Sequence, residues 1–296
     1  MESYNLVLLA AAVLLPALSA ALCYTVRKDA VRNSIVVVTT LIMFIVAGEF
    51  VRILAGSGAP ITIGEEDLHF DIGWIIRILD LMLLLYIGYT GIRLKKPLVV
   101  TLTAIQLVAV VAFEIFVMPN EPKAAFVIDY LSLVMILLVS IIGPIITVFA
   151  IGYMKEHEHH LHLKISRQPR FFMILFVFLG AMNALVMTNN LSWMYFFWEV
   201  TTLCSFLLIS HDGNEISIKN AVRALWINSL GGVAFIAAII MIYTSKIGSL
   251  DISEIVKNSA GGSAAGLIPI ALGLLCFAGF TKSAQFPFQS WLLGAM

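Results

Sequence analysis

Long, nearly uninterrupted apolar runs dominate this chain and leave it few ways to fold. Taking a membrane crossing as about 20 mainly apolar residues, nine stretches qualify, near residues 5–25, 33–55, 73–92, 97–117, 129–153, 170–188, 191–211, 221–244 and 266–285. Such runs lack the roughly ten-residue alternation of a membrane barrel, and backbone groups in lipid must be satisfied within their own segment. Each run therefore predicts a helix, and together they predict an all-α integral membrane bundle of about nine spans surrounded by lipid. Composition agrees: 60% of the residues are hydrophobic and 12% charged, against about 25% charged in a soluble domain. Eighteen Lys plus Arg balance eighteen Asp plus Glu, which points away from nucleic acid as a partner. The opening MESYN has no basic n-region and further spans follow directly, so the first run is expected to remain as an anchor.

Lysine and arginine in the loops predict the orientation, because cytoplasmic loops carry the excess. Twelve of them lie after the first, third, fifth and seventh spans, including Arg27, Lys28, Arg32, Arg93, Lys95, Lys96, Lys155, Lys164, Lys219 and Arg223. The other side has Arg52, Lys123, Lys246 and Lys257, and its first loop is acidic, with Glu65, Glu66, Asp67 and Asp71. The N-terminus is expected outside the cytoplasm. Between the last two spans, SLDISEIVKN offers Asp251 as an N-cap and Glu254 as its capping-box partner, which predicts a short interfacial helix. A flexible GGSAAG from Gly261 then leads into the ninth span.

A charge near the middle of a span costs about 2.5–3.5 kcal/mol on insertion scales, so each one needs a reason. Glu199 lies close to the middle of span seven, and Thr202 and Ser205 follow it at helical spacing as a narrow polar stripe. Burial disfavours the ionised carboxylate and a nearby cation favours it, so such a group can take up and release a proton as its surroundings change. The plainer alternative is a structural hydrogen bond between helices. Lys282, in GFTKSAQFPFQSW, sits between Gly279 and Pro287, where proline predicts a broken helix. It is either a proton carrier at the polar end of a discontinuous helix or a side chain snorkelling to the interface. Arg223 reads first as a headgroup anchor. Arg77 with Asp80, and Glu49 with Arg52, are three residues apart and are expected to neutralise each other on their helices. Glu114, near the end of span four, reads as interfacial.

The histidines of KEHEHHLHLK, namely His157, His159, His160 and His162, lack tetrahedral spacing, so a solvated loop is expected there and no metal site is assigned. Cys23, Cys204 and Cys276 stand singly inside apolar segments, without cluster or zinc spacing, and read as small core residues. No cofactor is expected in the chain, which would depend on partner subunits for any redox chemistry.

Three strings add a family resemblance: VIDYLSLVMILLVSIIGPIITVFAIGYM from Val127, WEVTTLCSFLLI from Trp198 and TKSAQFPFQSWLLGAM from Thr281. They resemble signature segments of the proton-translocating membrane subunits of respiratory complex I, above all the large L-type subunit. The same strings occur in Mrp-type cation/proton antiporters and in membrane-bound hydrogenases. The resemblance divides the chain into residues 1–126, N-terminal spans including two additional ones over 73–117, and residues 127–296, one half of the antiporter-like inverted repeat with a broken last helix. It implies a half-channel in which Glu199 modulates Lys282, with Arg223 as a weaker third candidate. Gly232, in SLGG, stands where the large subunit commonly has an acid, which leaves Arg223 without an obvious partner. Met296 falls inside a string that the family continues into a second repeat. The chain is therefore expected to be a fragment, one part of a split subunit, or a shortened subunit that works with a neighbour.

The resulting expectation is a proton- or sodium-translocating subunit of a redox-driven complex of the NADH-quinone oxidoreductase type. It would sit in a bacterial or archaeal cell membrane beside other membrane subunits and peripheral redox subunits. The alternatives are an Mrp-type cation/proton antiporter subunit and a non-conducting structural subunit.

Overall fold

A computed structural model of the chain describes residues 2–64, 66, 72–117, 124–162, 165–245, 247–258 and 266–295. Glu65, Asp67 and Asp71 of the acidic loop, Lys123, Lys164 and Lys246, and residues 261–265 of the glycine-rich stretch lie outside the described residues. In chain order the helices are α1 Glu2–Thr25, α2 Asp29–Ser57, α3 Ile72–Arg93, α4 Pro97–Val117, α5 Tyr130–Leu137, α6 Gly143–His160, α7 Gln168–Met187, α8 Leu191–Ile209, α9 Glu215–Tyr243, α10 Ile252–Asn258, α11 Ile268–Lys282 and α12 Ser290–Ala295. Two short strands, β1 Ile61–Ile63 and β2 Phe126–Ile128, complete the order.

Among the described residues eight helices are long and apolar enough to cross a membrane, counting Tyr130–His160 as one. They coincide with the first eight expected spans. The ninth expected span is α11, of 15 residues, about 22 Å at 1.5 Å per residue, shorter than a hydrocarbon core of about 30 Å. The protein is an all-α, multi-pass integral membrane protein.

The chain divides into two compact units, each drawing on both sides of residue 126: residues 1–63 with 126–188, and residues 64–125 with 189–296. In the first unit α1 packs on α7, with Gly180 at the crossing. A Cβ there would lie 2.9 Å from the Val13 carbonyl oxygen, so only glycine lets the two backbones approach this closely. α5 and α6 run together through a π-helical turn, Leu138–Ile142. Pro144 explains the turn, since its ring excludes the carbonyl four residues back and it has no N–H to donate. The strands pair antiparallel with Ile61 opposite Ile128 and Ile63 opposite Phe126, an element too short for residue patterning to announce. Glu49 and Arg52 form the expected pair, at 2.6 Å. Arg32, a loop cation by sequence, is instead fully buried. It donates to Asp29 at 2.7 Å and to Gln168 at 2.8 Å, and the Gln168 amide donates onward to Glu158 at 2.8 Å.

The second unit packs α3 against α4, α4 and α8 against α9, and α11 and α12 also against α9. Its core joins Leu84, Phe113, Tyr195, Phe235, Ile239 and Ala271 from five helices. α10, directly after Asp251, is the short helix expected from SLDISEIVKN.

Candidate functional site

All three predicted site residues belong to the second unit, and α9 provides the surface on which two of them are set. Its consecutive glycines, Gly231 and Gly232, face different neighbours. A side chain at Gly231 would overlap the Thr281 hydroxyl and come within 3.4 Å of the Ala278 carbonyl oxygen. The end of α11, carrying Lys282, can therefore lie directly on α9. A side chain at Gly232 would overlap both the Gln106 amide nitrogen and a Glu199 carboxylate oxygen. The space that Gly232 leaves open is thus occupied by Gln106 of α4 and by the Glu199 carboxylate.

Glu199 is fully buried. Its Oε1 accepts from Gln106 Nε2 at 2.8 Å, while Oε2 has no hydrogen-bond partner. Lys282, the last residue of α11, donates through Nζ to the Thr202 hydroxyl at 2.8 Å and to the Trp198 carbonyl at 3.2 Å. Its ammonium also lies 5.3 Å from the centre of a Trp198 ring, close enough for a cation–π attraction. Lys282 therefore grips the residues just before and one turn after Glu199. No direct ion pair joins the two, although each lies in the other's electrostatic field. Of the expected polar stripe, Thr202 serves the lysine, whereas the Ser205 hydroxyl turns back to the Thr201 carbonyl at 2.8 Å.

The expected helix break lies directly after Lys282. Ala284 adopts a left-handed φ of 53°, and the Gln285 N–H bonds back to the Phe280 carbonyl at 3.0 Å, the wide loop of a Schellman cap. The Thr281 carbonyl accepts from the indole N–H of Trp291 on α12 at 2.9 Å. A carbonyl near the open end of α11 is thereby satisfied at a buried position.

Arg223 is not brought to this pair. It lines a separate surface pocket with Lys96, Lys219 and Trp226. The expected Arg77–Asp80 pair is replaced: Arg77 Nε reaches Glu114 on α4 at 3.3 Å, and Asp80 is buried with Oδ1 unpartnered. A local i, i+3 rule misses this outcome, because the competing carboxylate comes from a neighbouring helix. Sequence reasoning also passed over Gln106, whose signal was available: a lone amide in the middle of an apolar span. Among the described residues no group of three or more His, Cys, Asp or Glu side chains could hold a metal ion.

Two family models match the chain. Residues 188–296 fit the transmembrane segment of the NADH:quinone oxidoreductase/Mrp antiporter family, and residues 120–172 fit the N-terminus of chain 5 of the NADH-ubiquinone oxidoreductase, complex I. These two segments are similar to the complex I/Mrp antiporter family. A putative antiporter subunit, mnhA2, of Staphylococcus haemolyticus is 38% identical over 63% of the chain and 22% of its own length. The Na(+)/H(+) antiporter subunit A1 of the same organism is 35% identical over 57% of the chain and 20% of its own length. The chain thus matches about a fifth of the length of these relatives. Among solved structures, a chain of the membrane-bound sulfane sulfur reductase, an archaeal respiratory membrane complex, shares the fold with a TM-score of 0.68 over 97% of this chain and 47% of that one. At 13% identity, the likeness concerns the fold alone. Glu199 and Lys282 both lie within the matched residues 188–296.

Proposed function

We propose that this complex I/Mrp-type subunit translocates protons, or protons in exchange for a cation, with Glu199 and Lys282 as its coupled ionisable pair. The observation that supports this most is the grip of Lys282 on Trp198 and Thr202, which sets the ammonium beside Glu199 without closing an ion pair. A closed pair would hold both charges; a near pair lets a modest movement change which group bears the proton. In the proposed step the ammonium gives a proton to the open Oε2 of Glu199, leaving a neutral amine and a neutral acid. Charging Lys282 again from the other side completes the cycle. Gln106 orients the carboxylate, and Arg223 acts outside the pair as a basic anchor.

The family is consistent with two driving forces. A redox-driven complex with peripheral electron-transfer subunits is one; gradient-driven cation/proton antiport is the other, favoured by relatives at 38% and 35% identity that are named antiporter subunits. In either case the chain works beside other membrane subunits, with its N-terminus outside the cytoplasm. The test is dye-monitored proton movement in membrane vesicles containing the assembled complex. Glu199→Gln and Lys282→Met should each abolish it with assembly intact. Undiminished movement in Glu199→Gln would show that the subunit holds the complex together without conducting.

A further inference from the structure

The α3–α4 helix pair brings a second carboxylate towards Glu199. Asp80, on α3, is 6% exposed, and its Oδ1 has no hydrogen-bond partner. Burying a carboxyl without a cation or a full set of hydrogen bonds is costly, and among the described residues no salt bridge involves it. Its helix-mate Arg77 is directed to Glu114. The titratable side chains within electrostatic reach of Asp80 on the helices packed against α3 are Glu114 on α4, and Tyr195 and Glu199 on α8.

Tyr195, one turn before Glu199 on α8, is within electrostatic reach of both acids. It is 2% exposed, and its hydroxyl lies near Gln106 without a partner at full hydrogen-bond geometry. Four buried oxygens of one neighbourhood are thus unpaired: Asp80 Oδ1, the Tyr195 hydroxyl, Gln106 Oε1 and Glu199 Oε2. Buried polar atoms are nearly always paired, and exceptions concentrate where chemistry occurs. Four together, two of them on carboxylates and one on a group that both donates and accepts, have a common explanation in proton exchange.

We propose that Asp80 is a second proton-binding site, which exchanges its proton with Glu199 through the Tyr195 hydroxyl. The inference rests on the proposed role of Glu199. As the hydroxyl transiently bridges the two acids by side-chain rotation, the Asp80 O–H gives its proton to the tyrosine oxygen. The tyrosine O–H gives its own to Glu199 Oε2. Asp80 ends as carboxylate, Glu199 as acid and Tyr195 unchanged, so charge and protons balance. The role left open for the two additional spans is then to supply a side branch of the proton path, running from the half-exposed Arg77–Glu114 pair to Glu199.

The experiment compares Asp80→Asn, Tyr195→Phe and Glu199→Gln in vesicles containing the assembled complex, with assembly followed by native gel. Asp80→Asn keeps shape and hydrogen-bonding capacity but cannot ionise. It and Tyr195→Phe should each slow proton movement about tenfold or more, within the range of a positioned acid–base group. Both at the parental rate, with Glu199→Gln inactive, would overturn the side branch and leave the main pathway standing. A parental rate in Glu199→Gln would overturn both. Should Asp80→Asn fail to assemble, Tyr195→Phe decides alone, because it removes a single hydroxyl and leaves the ring packing in place.

Discussion

Gly232 gives the sharpest structural prediction, because one added methyl meets two named atoms. In Gly232→Ala the new Cβ would overlap Gln106 Nε2 and Glu199 Oε1. If the clash is retained, overpacking costs about 1–3 kcal/mol. If it is relieved by parting Gln106 from Glu199, the loss of a hydrogen bond to a carboxylate costs about 1.5–3 kcal/mol. These are alternatives and do not add. Replacing a helical glycine by alanine returns about 1 kcal/mol, so the expected net loss is about 0.5–2 kcal/mol if the contact parts and no more than about 2 kcal/mol if the clash is retained. Gly273 is the control: a Cβ there meets nothing within 4 Å, so Gly273→Ala should be neutral or slightly stabilising. Thermal unfolding of the purified complex can be followed with a thiol-reactive dye, since Cys23 and Cys204 are both buried and free. Gln106→Ala makes room, so adding Gly232→Ala to it should cost less than in the parent, with a coupling of about 1 kcal/mol or more. A Gly232→Ala complex more stable than the parent, or no relief from Gln106→Ala, would refute the argument that glycine is required by the Gln106–Glu199 contact.

Two further predictions contrast buried and exposed charge. Arg32→Ala removes a buried guanidinium that donates to the exposed Asp29 and the buried Gln168, and should destabilise by about 1–3 kcal/mol, seen as lower thermal stability and reduced accumulation in the membrane. Arg77→Gln breaks a pair whose side chains are 41% and 26% exposed, and should shift stability by no more than about 1 kcal/mol in the same melting assay.

The spans were legible because a membrane helix needs little beyond a sufficient apolar run. Glu199 and Lys282 were legible for the complementary reason: an intramembrane charge is costly enough to stand out by itself. What escaped was partnership. Nothing near Arg77 in sequence reveals that Glu114 takes it from Asp80, and nothing in SLGG reveals that Gly232 makes room for Gln106, more than a hundred residues earlier. The burial of Arg32 has the same character, since its acceptor Gln168 lies on α7. Each depends on which helices pack together, and residue periodicity reports a helix's faces without naming the neighbour that covers them.

The central claim is that the proton state of Glu199 depends on Lys282, and infrared difference spectroscopy of the assembled complex tests it most directly. Glu199→Gln identifies the carbonyl stretch of the protonated Glu199 acid. At constant pH, Lys282→Met removes a cation that favours the carboxylate, so that band should grow in intensity. An unchanged band, in a complex that assembles normally, would contradict the coupling of the two groups.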